Sequence, residues 1–397
     1  MWSVRQTVQS WFSQAQATVS ETEEELVPLP DVLENQLAQK IRALPSPEIY
    51  QSFIREELAI AIETWQQNLD APNSLVFLGS PVEPIAAILN DGLRQWSDAP
   101  VNIITPLPCM ARPEDPLVSI QQIRDALDPY TQLDPDNQED ADEQLDPDSL
   151  DARQTVVLIP CLEQCFLRCI GGWEGIEYLR DVAIHHRHCF WVIGCSHWAW
   201  NFLDFVCQVS AYFSEVKSLP ELNGEVLKEW LDPVVKTVIA AQAQTEEDGD
   251  RPDYWHSLAS KALGVSSIAV NIWLQSLRID PELVADGDKS PDLNLASDNP
   301  EGEELILHEV KPSLPSFPSL NHGDRYLLHS LLIHGRMTRA HLAFSLGQRE
   351  GQIQSQIQAL LRTGLLERND GCLSVQPSHY VRLKTELANN NFFVGDD

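Results

Sequence analysis

Basic residues are scarce in this chain. Over 397 residues, 27 Lys and Arg stand against 59 Asp and Glu, a formal net charge of -32. Such a surface repels nucleic-acid phosphates over most of its area, which argues against a chain built chiefly to grip DNA. Long apolar runs are missing too, and none approaches the roughly 20 residues of a membrane-spanning helix. Residues 1–20 lack a basic start and a continuous apolar centre, so no cleavable signal is expected. The eight cysteines show no close paired spacings, which predicts reduced thiols and a cytoplasmic location, with peripheral attachment at a membrane as a variant. What remains is an ordinary globular apolar fraction of 43% and a length sufficient for two or three domains.

The organising stretch is residues 75–86, Leu-Val-Phe-Leu-Gly-Ser-Pro-Val-Glu-Pro-Ile-Ala. A buried strand breaks at a glycine and runs into a helix, the shape of a phosphate-binding loop. A working loop follows G-x-x-x-x-G-K-[ST], in which backbone amides cradle phosphates, the lysine meets the β- and γ-phosphates and the hydroxyl meets magnesium. Gly79 fills the first position, but Pro84, Ile85 and Ala86 occupy those of the second glycine, the lysine and the hydroxyl. The scaffold is present without its charges.

Around this stretch, residues 1–18 predict an amphipathic helix with Val4, Val8, Trp11, Phe12, Ala15 and Val19 on one face and Trp2 at its tip. It either packs on its own domain or docks on a partner or membrane interface; Trp2, Val8, Trp11 and Phe12 are the candidate contacts, although Arg5 is its one basic residue. Prolines at 28, 30, 45 and 47 mark a linker before a long helix over residues 49–69. Strand and helix signals then alternate to residue 208, with continuous apolar strands at 155–159 and 190–194, which predicts a parallel sheet covered on both faces. Residues 128–153 interrupt it with ten acids between 128 and 151 and two Leu-Asp-Pro-Asp repeats, an insertion expected to be disordered; the turn glycine of a calcium loop is absent. From residue 219 the pattern turns helical to 279, and residues 280–320 read as a linker with one strand near 305–308.

The last unit, residues 321–390, predicts three helices and a hairpin with an Asn369-Asp370-Gly371 turn, a winged helix-turn-helix. Eight basic residues against five acids leave a local surplus of three positive charges. Its third helix exposes Gln352, Gln354, Ser355, Gln356 and Gln358, and glutamine can read adenine edges. Elsewhere, Cys161, Cys165 and Cys169 would stack on a helix face, and His185, His186, His188 and Cys189 cluster before a strand. Neither group has zinc spacing, so no metal is expected. Trp191, Trp198, Trp200, Phe202 and Phe205 read as core, with a protein-binding patch as the alternative.

Together these parts resemble the AAA+ and STAND class of P-loop ATPases with a winged helix appended, over residues 49–385. The resemblance implies an α/β fold: a parallel-sheet, AAA+-like domain at 28–218 with a helical lid at 219–279, followed by the winged helix. It also implies acidic magnesium-site residues where this chain has Pro160 and Cys161, with Glu163 two positions on; a polar γ-phosphate sensor where it has Ser196 or His197; and a lid arginine where it has Gly264-Val265-Ser266-Ser267, Arg278 lying far down that helix. Phosphoryl transfer depends on such positioned charges. The expectation is therefore a catalytically inactive pseudo-ATPase scaffold or adaptor without bound ATP or magnesium, working through protein partners, one of them membrane-associated, or as an oligomer. Two alternatives stand beside it: a winged-helix DNA-binding regulator, and a divergent ATPase using Glu163 with a lysine or arginine from a partner.

Overall fold

The computed structural model describes residues 26–94, 96, 101–107, 112, 118–131, 150, 153–238, 252–281 and 307–395. The expected N-terminal helix and nearly all of the acidic insertion lie outside these residues. The chain divides into two compact units: Met1–Pro45, Leu222–Gly264 and Ala269–Leu314 form one, and Ser46–Glu221, Val265–Ile268 and Pro315–Asp397 the other.

In chain order the described strands are β1 (Val27–Pro28), β2 (Ser74–Gly79), β3 (Asn102–Ile104), β4 (Thr155–Ile159), β5 (Cys189–Ser196), β6 (Val216–Ser218), β7 (Leu277–Ile279), β8 (His308–Glu309), β9 (Leu366–Asn369) and β10 (Cys372–Val375). The helices begin with α1 (Asp31–Arg42), α2 (Glu48–Gln67), α3 (Ile85–Arg94), α4 (Ser119–Thr131), α5 (Glu174–His185), α6 (His197–Cys207) and α7 (Gly224–Val238). They continue with α8 (Pro252–Lys261), α9 (Ser266–Ser276), α10 (His322–His334), α11 (Arg339–Leu346), α12 (Glu350–Arg362) and α13 (Tyr380–Asn389).

The larger unit is built on a five-stranded parallel sheet of order β3-β4-β5-β2-β6. Its centre is apolar on both faces: all residues of β2 and β5 are buried, as a parallel sheet covered on both sides requires. In register, Gly79 at the end of β2 faces Ser196 at the end of β5. Both lie at the carboxyl edge of the sheet, where ligands of open α/β sheets bind. Trp191, Trp198 and Trp200 are buried core, while Phe205 is 82% exposed.

The same unit carries a C-terminal body of helices and a hairpin, the segment whose sequence predicts a winged helix. α10, α11 and α12 precede the antiparallel β9–β10 hairpin, whose turn places Asp370 and Gly371 at φ 52° and 79°, the conformation that an Asp-Gly turn supplies. Met337 adds a bridge to Leu373, and α13 closes the unit. Thr338 caps α11 through the His341 N–H, and Gly347 ends it at φ 64°. All eight residues from Leu327 to His334 are buried in α10, and Ile333 belongs to the same apolar core as Phe166, Trp191 and Trp200 of the sheet domain. A helical stretch enclosed on all sides is a core element, so this C-terminal body and the sheet domain share one interior.

The smaller unit holds α1, α7, α8, most of α9 and an antiparallel sheet of order β1-β7-β8. Trp230 donates to the Pro45 carbonyl at 2.8 Å, and Trp273 to Glu309 at 2.9 Å. Residues 219–279 read as helical, and the strand expected near 305–308 overlaps β8 at His308; β1 is only two residues long, too short for a period-2 pattern to register. Arg278, expected on a helix, sits in β7 and donates to the carbonyls of Gln275 and Leu277.

Gly194 shows how tightly the sheet edge is packed. A Cβ there would meet the Pro160 carbonyl oxygen and, at 2.5 Å, Leu89 Cδ1. Gly194→Ala is expected to lower unfolding stability by about 1–3 kcal/mol, measured as a shift in denaturant midpoint.

Candidate functional site

The carboxyl edge of the sheet gathers most of the residues that sequence singled out. Past Gly79 the chain turns through residues 80–83, with the Glu83 N–H donating to the Ser80 carbonyl at 2.9 Å, and α3 begins at Ile85. Pro81 and Pro84 have no N–H, which removes two amides from any phosphate cradle in this loop. Pro84 is exposed, Ala86 half-buried, and Ile85 buried at 2% exposure, its Cδ1 turned toward Gly79. The lysine position is thus filled by core.

The loop's ionisable side chain is an acid. Glu83 is 8% exposed and accepts three hydrogen bonds at the start of α9: from Ser266 N–H at 3.2 Å, Ser266 Oγ at 2.6 Å and Ser267 N–H at 3.0 Å. The Tyr50 hydroxyl also bonds this carboxylate; burial first, then the Glu83 charge, raises the Tyr50 pKa above its ordinary value. A phosphate placed about 4 Å from Glu83 would meet repulsion of about 4 kcal/mol per unit charge at an effective dielectric of about 20.

At the end of β4, Pro160 and Cys161 are buried. Cys161 is disulfide-bonded, which corrects the expectation that all eight cysteines are reduced thiols. The predicted helical stack of Cys161, Cys165 and Cys169 is also corrected: a 3-10 turn at Leu162–Gln164 and an irregular loop replace it. Among the described residues no group of His, Cys, Asp or Glu could hold a metal ion, and no helix is long and apolar enough to cross a membrane.

Glu163 and Ser196 come together. The Glu163 carboxyl accepts from the Ser196 backbone N–H and from its own. The Ser196 hydroxyl accepts from Ala199 N–H at 3.2 Å as the N-cap of α6. Glu163 lies beneath Gly335, which ends α10. Its Oε2 has no hydrogen-bond partner. Burial pushes the Glu163 pKa up to about 7, against the lowering effect of its amide bonds and of Arg112.

Arg112, which sequence reasoning passed over, binds this edge to the winged helix. Its Nε donates to Phe166 O at 3.0 Å, Nη1 to Arg336 O at 2.7 Å, and Nη2 to His334 O at 2.6 Å and to the Glu163 carbonyl. Burial lowers its pKa to about 10. His334 is fully buried, with its pKa well below the ordinary value through burial and then the charge of Arg112, and its Nε2 accepts from Arg168 N–H at 3.2 Å. His329 is lowered to about 4, mainly by burial; it lies 3.4 Å from Arg168 Nη1 and 2.8 Å from the Phe393 carbonyl. No local sequence signal marks this cluster, because its members lie up to 224 positions apart.

On the winged helix, a cleft between α12 and the hairpin is lined by Arg339, Gln354, Gln358 and Arg368 over Ile357 and Leu373. Arg339 is already paired with Glu350 at 2.6 Å and bonded to Gln354 at 2.7 Å.

No family model matches the chain, and no curated protein matches it in sequence. Among solved structures, the Thermotoga maritima RuvB Holliday junction branch migration motor is similar at 15% identity over 87% of this chain and 95% of its own, with a TM-score of 0.30. Cdc6p from Pyrobaculum aerophilum is similar at 13% identity over 88% and 96%, with a TM-score of 0.32. The Aeropyrum pernix ORC2 protein in ADPNP–ADP complexes is similar at 11% over 86% and 92%, with a TM-score of 0.35. At these scores the architectural statement rests on the sheet order above, and no activity passes from those proteins to this one.

The raised Glu163 pKa sets a pH dependence. Stability from this group is fully present below its unfolded value of about 4.5 and is lost as pH rises through about 7. Glu163→Gln does not titrate, so its stability relative to the parent chain is expected to grow between pH 4.5 and 7, measured by urea denaturation at several pH values.

Proposed function

We propose that this chain is a non-hydrolysing AAA+-like scaffold or adaptor that works by binding protein. One observation carries the reading: most of the polar groups at the carboxyl edge of the sheet are committed to internal partners, although Glu163 Oε2 and the Ser80 hydroxyl have none. Glu83 binds the start of α9, Ser196 caps α6, and Glu163 lies beneath α10. A phosphoryl-transfer site needs such groups free to meet metal and phosphate. On this reading the chain holds no ATP or magnesium, and Gly79, Pro84, Ile85, Ala86, Pro160, Cys161, Glu163 and Ser196 are remnants of a nucleotide pocket. Exposed aromatics support a protein partner: Phe205 is 82% exposed and Phe393 50%, with ring centroids 6.5 Å apart, and aromatics are enriched at interface centres. Trp2, Val8, Trp11 and Phe12 extend the proposal to a membrane-associated partner.

Isothermal titration of the full chain with Mg-ATP, beside a phosphate-release assay, tests this reading. Neither binding heat nor release is expected; micromolar binding with turnover would replace the scaffold by the divergent ATPase, in which Glu163→Gln should then abolish the rate.

The α12–hairpin cleft favours a second reading, DNA binding by the winged helix. Arg368 makes no ion pair among the described residues and could meet a phosphate. If so, the full chain binds duplex DNA at low salt, and Arg368→Ala reduces the salt slope by about 1. No binding at low ionic strength removes this reading.

A further inference from the structure

Glu83 is foreign to a phosphate-binding loop, yet it is the most fully engaged acid of this one. Its partners form the kind of donor set that receives an anion: two backbone amides and a hydroxyl at the first turn of α9, within 2.6–3.2 Å. A helix N-terminus carries partial positive charge and unsatisfied N–H groups, and it accepts phosphate or carboxylate alike. Helices ordinarily meet this need with a Ser, Thr, Asp or Asn just before the first turn. Here that residue is Val265, whose side chain has no oxygen, and the acceptor arrives from 183 positions upstream. Two prolines, Pro81 and Pro84, flank Glu83 and restrict the loop that delivers it. The Tyr50 hydroxyl, on α2, bonds the same carboxylate from another element. Nearby, the buried Ser80 hydroxyl of this loop has no partner, a further donor within the same turn.

We infer that Glu83 is a built-in anion. Its carboxylate occupies the position at the start of α9 that a phosphate group would take, and it thereby closes the loop after β2 to anionic ligands. The inference deepens the proposed function and rests on its reading of that loop as free of nucleotide. It assigns the absence of nucleotide to an autoinhibitory contact as well as to missing catalytic charges. Removing the carboxylate leaves the donors of Ser266 and Ser267 without their acceptor, and a phosphate or short polyphosphate is the chemical class that can replace it.

The test uses the full chain as parent, Glu83→Ala, Glu83→Gln and the double variant Glu83→Ala/Ser266→Ala, with inorganic phosphate and tripolyphosphate as probes. Thermal unfolding and titration calorimetry are the readouts, and circular dichroism confirms folding. The parent is expected to show no tripolyphosphate-dependent rise in Tm. Glu83→Ala is expected to have a lower Tm in buffer and a saturable rise with tripolyphosphate, binding at least about tenfold tighter than the parent. The double variant should lose most of that gain. If Glu83→Ala does not fold, Glu83→Gln carries the test, since its amide keeps the side chain's shape without the charge, and the same gain is expected in weaker form. A folded variant that stays unresponsive while the parent also binds nothing overturns this inference and leaves the scaffold reading standing. Parent protein that binds Mg-ATP or tripolyphosphate as well as the variants overturns both.

Discussion

The last two turns of α10, Leu327–His334, are buried on every side and end in backbone carbonyls that water cannot reach, a constraint that a single guanidinium helps to meet. Arg112 takes the carbonyls of His334 and Arg336 at the end of α10 and those of Glu163 and Phe166 from the loop after β4. A cation at a helix C-terminus also suits the helix dipole. One side chain thus joins the winged helix to the carboxyl edge of the sheet. The low pKa values of His329 and His334 follow from the same enclosure: both rings are neutral because burial and nearby arginines disfavour a further positive charge. Ile333, in the same apolar core as Phe166, and the His334 ring, 4.8 Å from that of Phe166, add the apolar part of the contact.

That junction has a consequence for the site. In open α/β sheets the carboxyl edge is where ligands enter, and buried polar groups there must be paired internally or by a ligand. In this chain the protein supplies many of the partners itself. Glu83 reaches α9, Ser196 caps α6, and Glu163 leans on the Ser196 amide beneath Gly335. Glu163 is incompletely satisfied, with one oxygen unpartnered, and its raised pKa reflects that cost. Proline at 81 and 84 and isoleucine at 85 reinforce the pattern by removing donors and charge where a phosphate would need them.

The elements legible in sequence were those with strong local signals. The all-apolar strands β2, β4 and β5 and the Asn-Asp-Gly turn of the β9–β10 hairpin stand where periodicity and turn chemistry put them. The Thr338 cap and the Gly347 stop of α11 are of the residue types that such helix ends favour. The helical reading of Cys161, Cys165 and Cys169 failed because a spacing of four can also arise in a folded-back loop. Arg278 went astray because a three-residue strand carries too little pattern to outweigh the helix before it.

Sequence alone thus determined the alternation of strand and helix, the missing lysine and hydroxyl after Gly79, and the acidic balance of the chain, since each is a property of residue type or of neighbours a few positions apart. Tertiary structure alone decided the strand order, the capping of α9 by Glu83 across 183 positions, and the clamping of α10 by Arg112 across more than 200. Those contacts depend on which buried donors and acceptors the fold brings together, and no local pattern records the partner of a polar group that lies on a distant element.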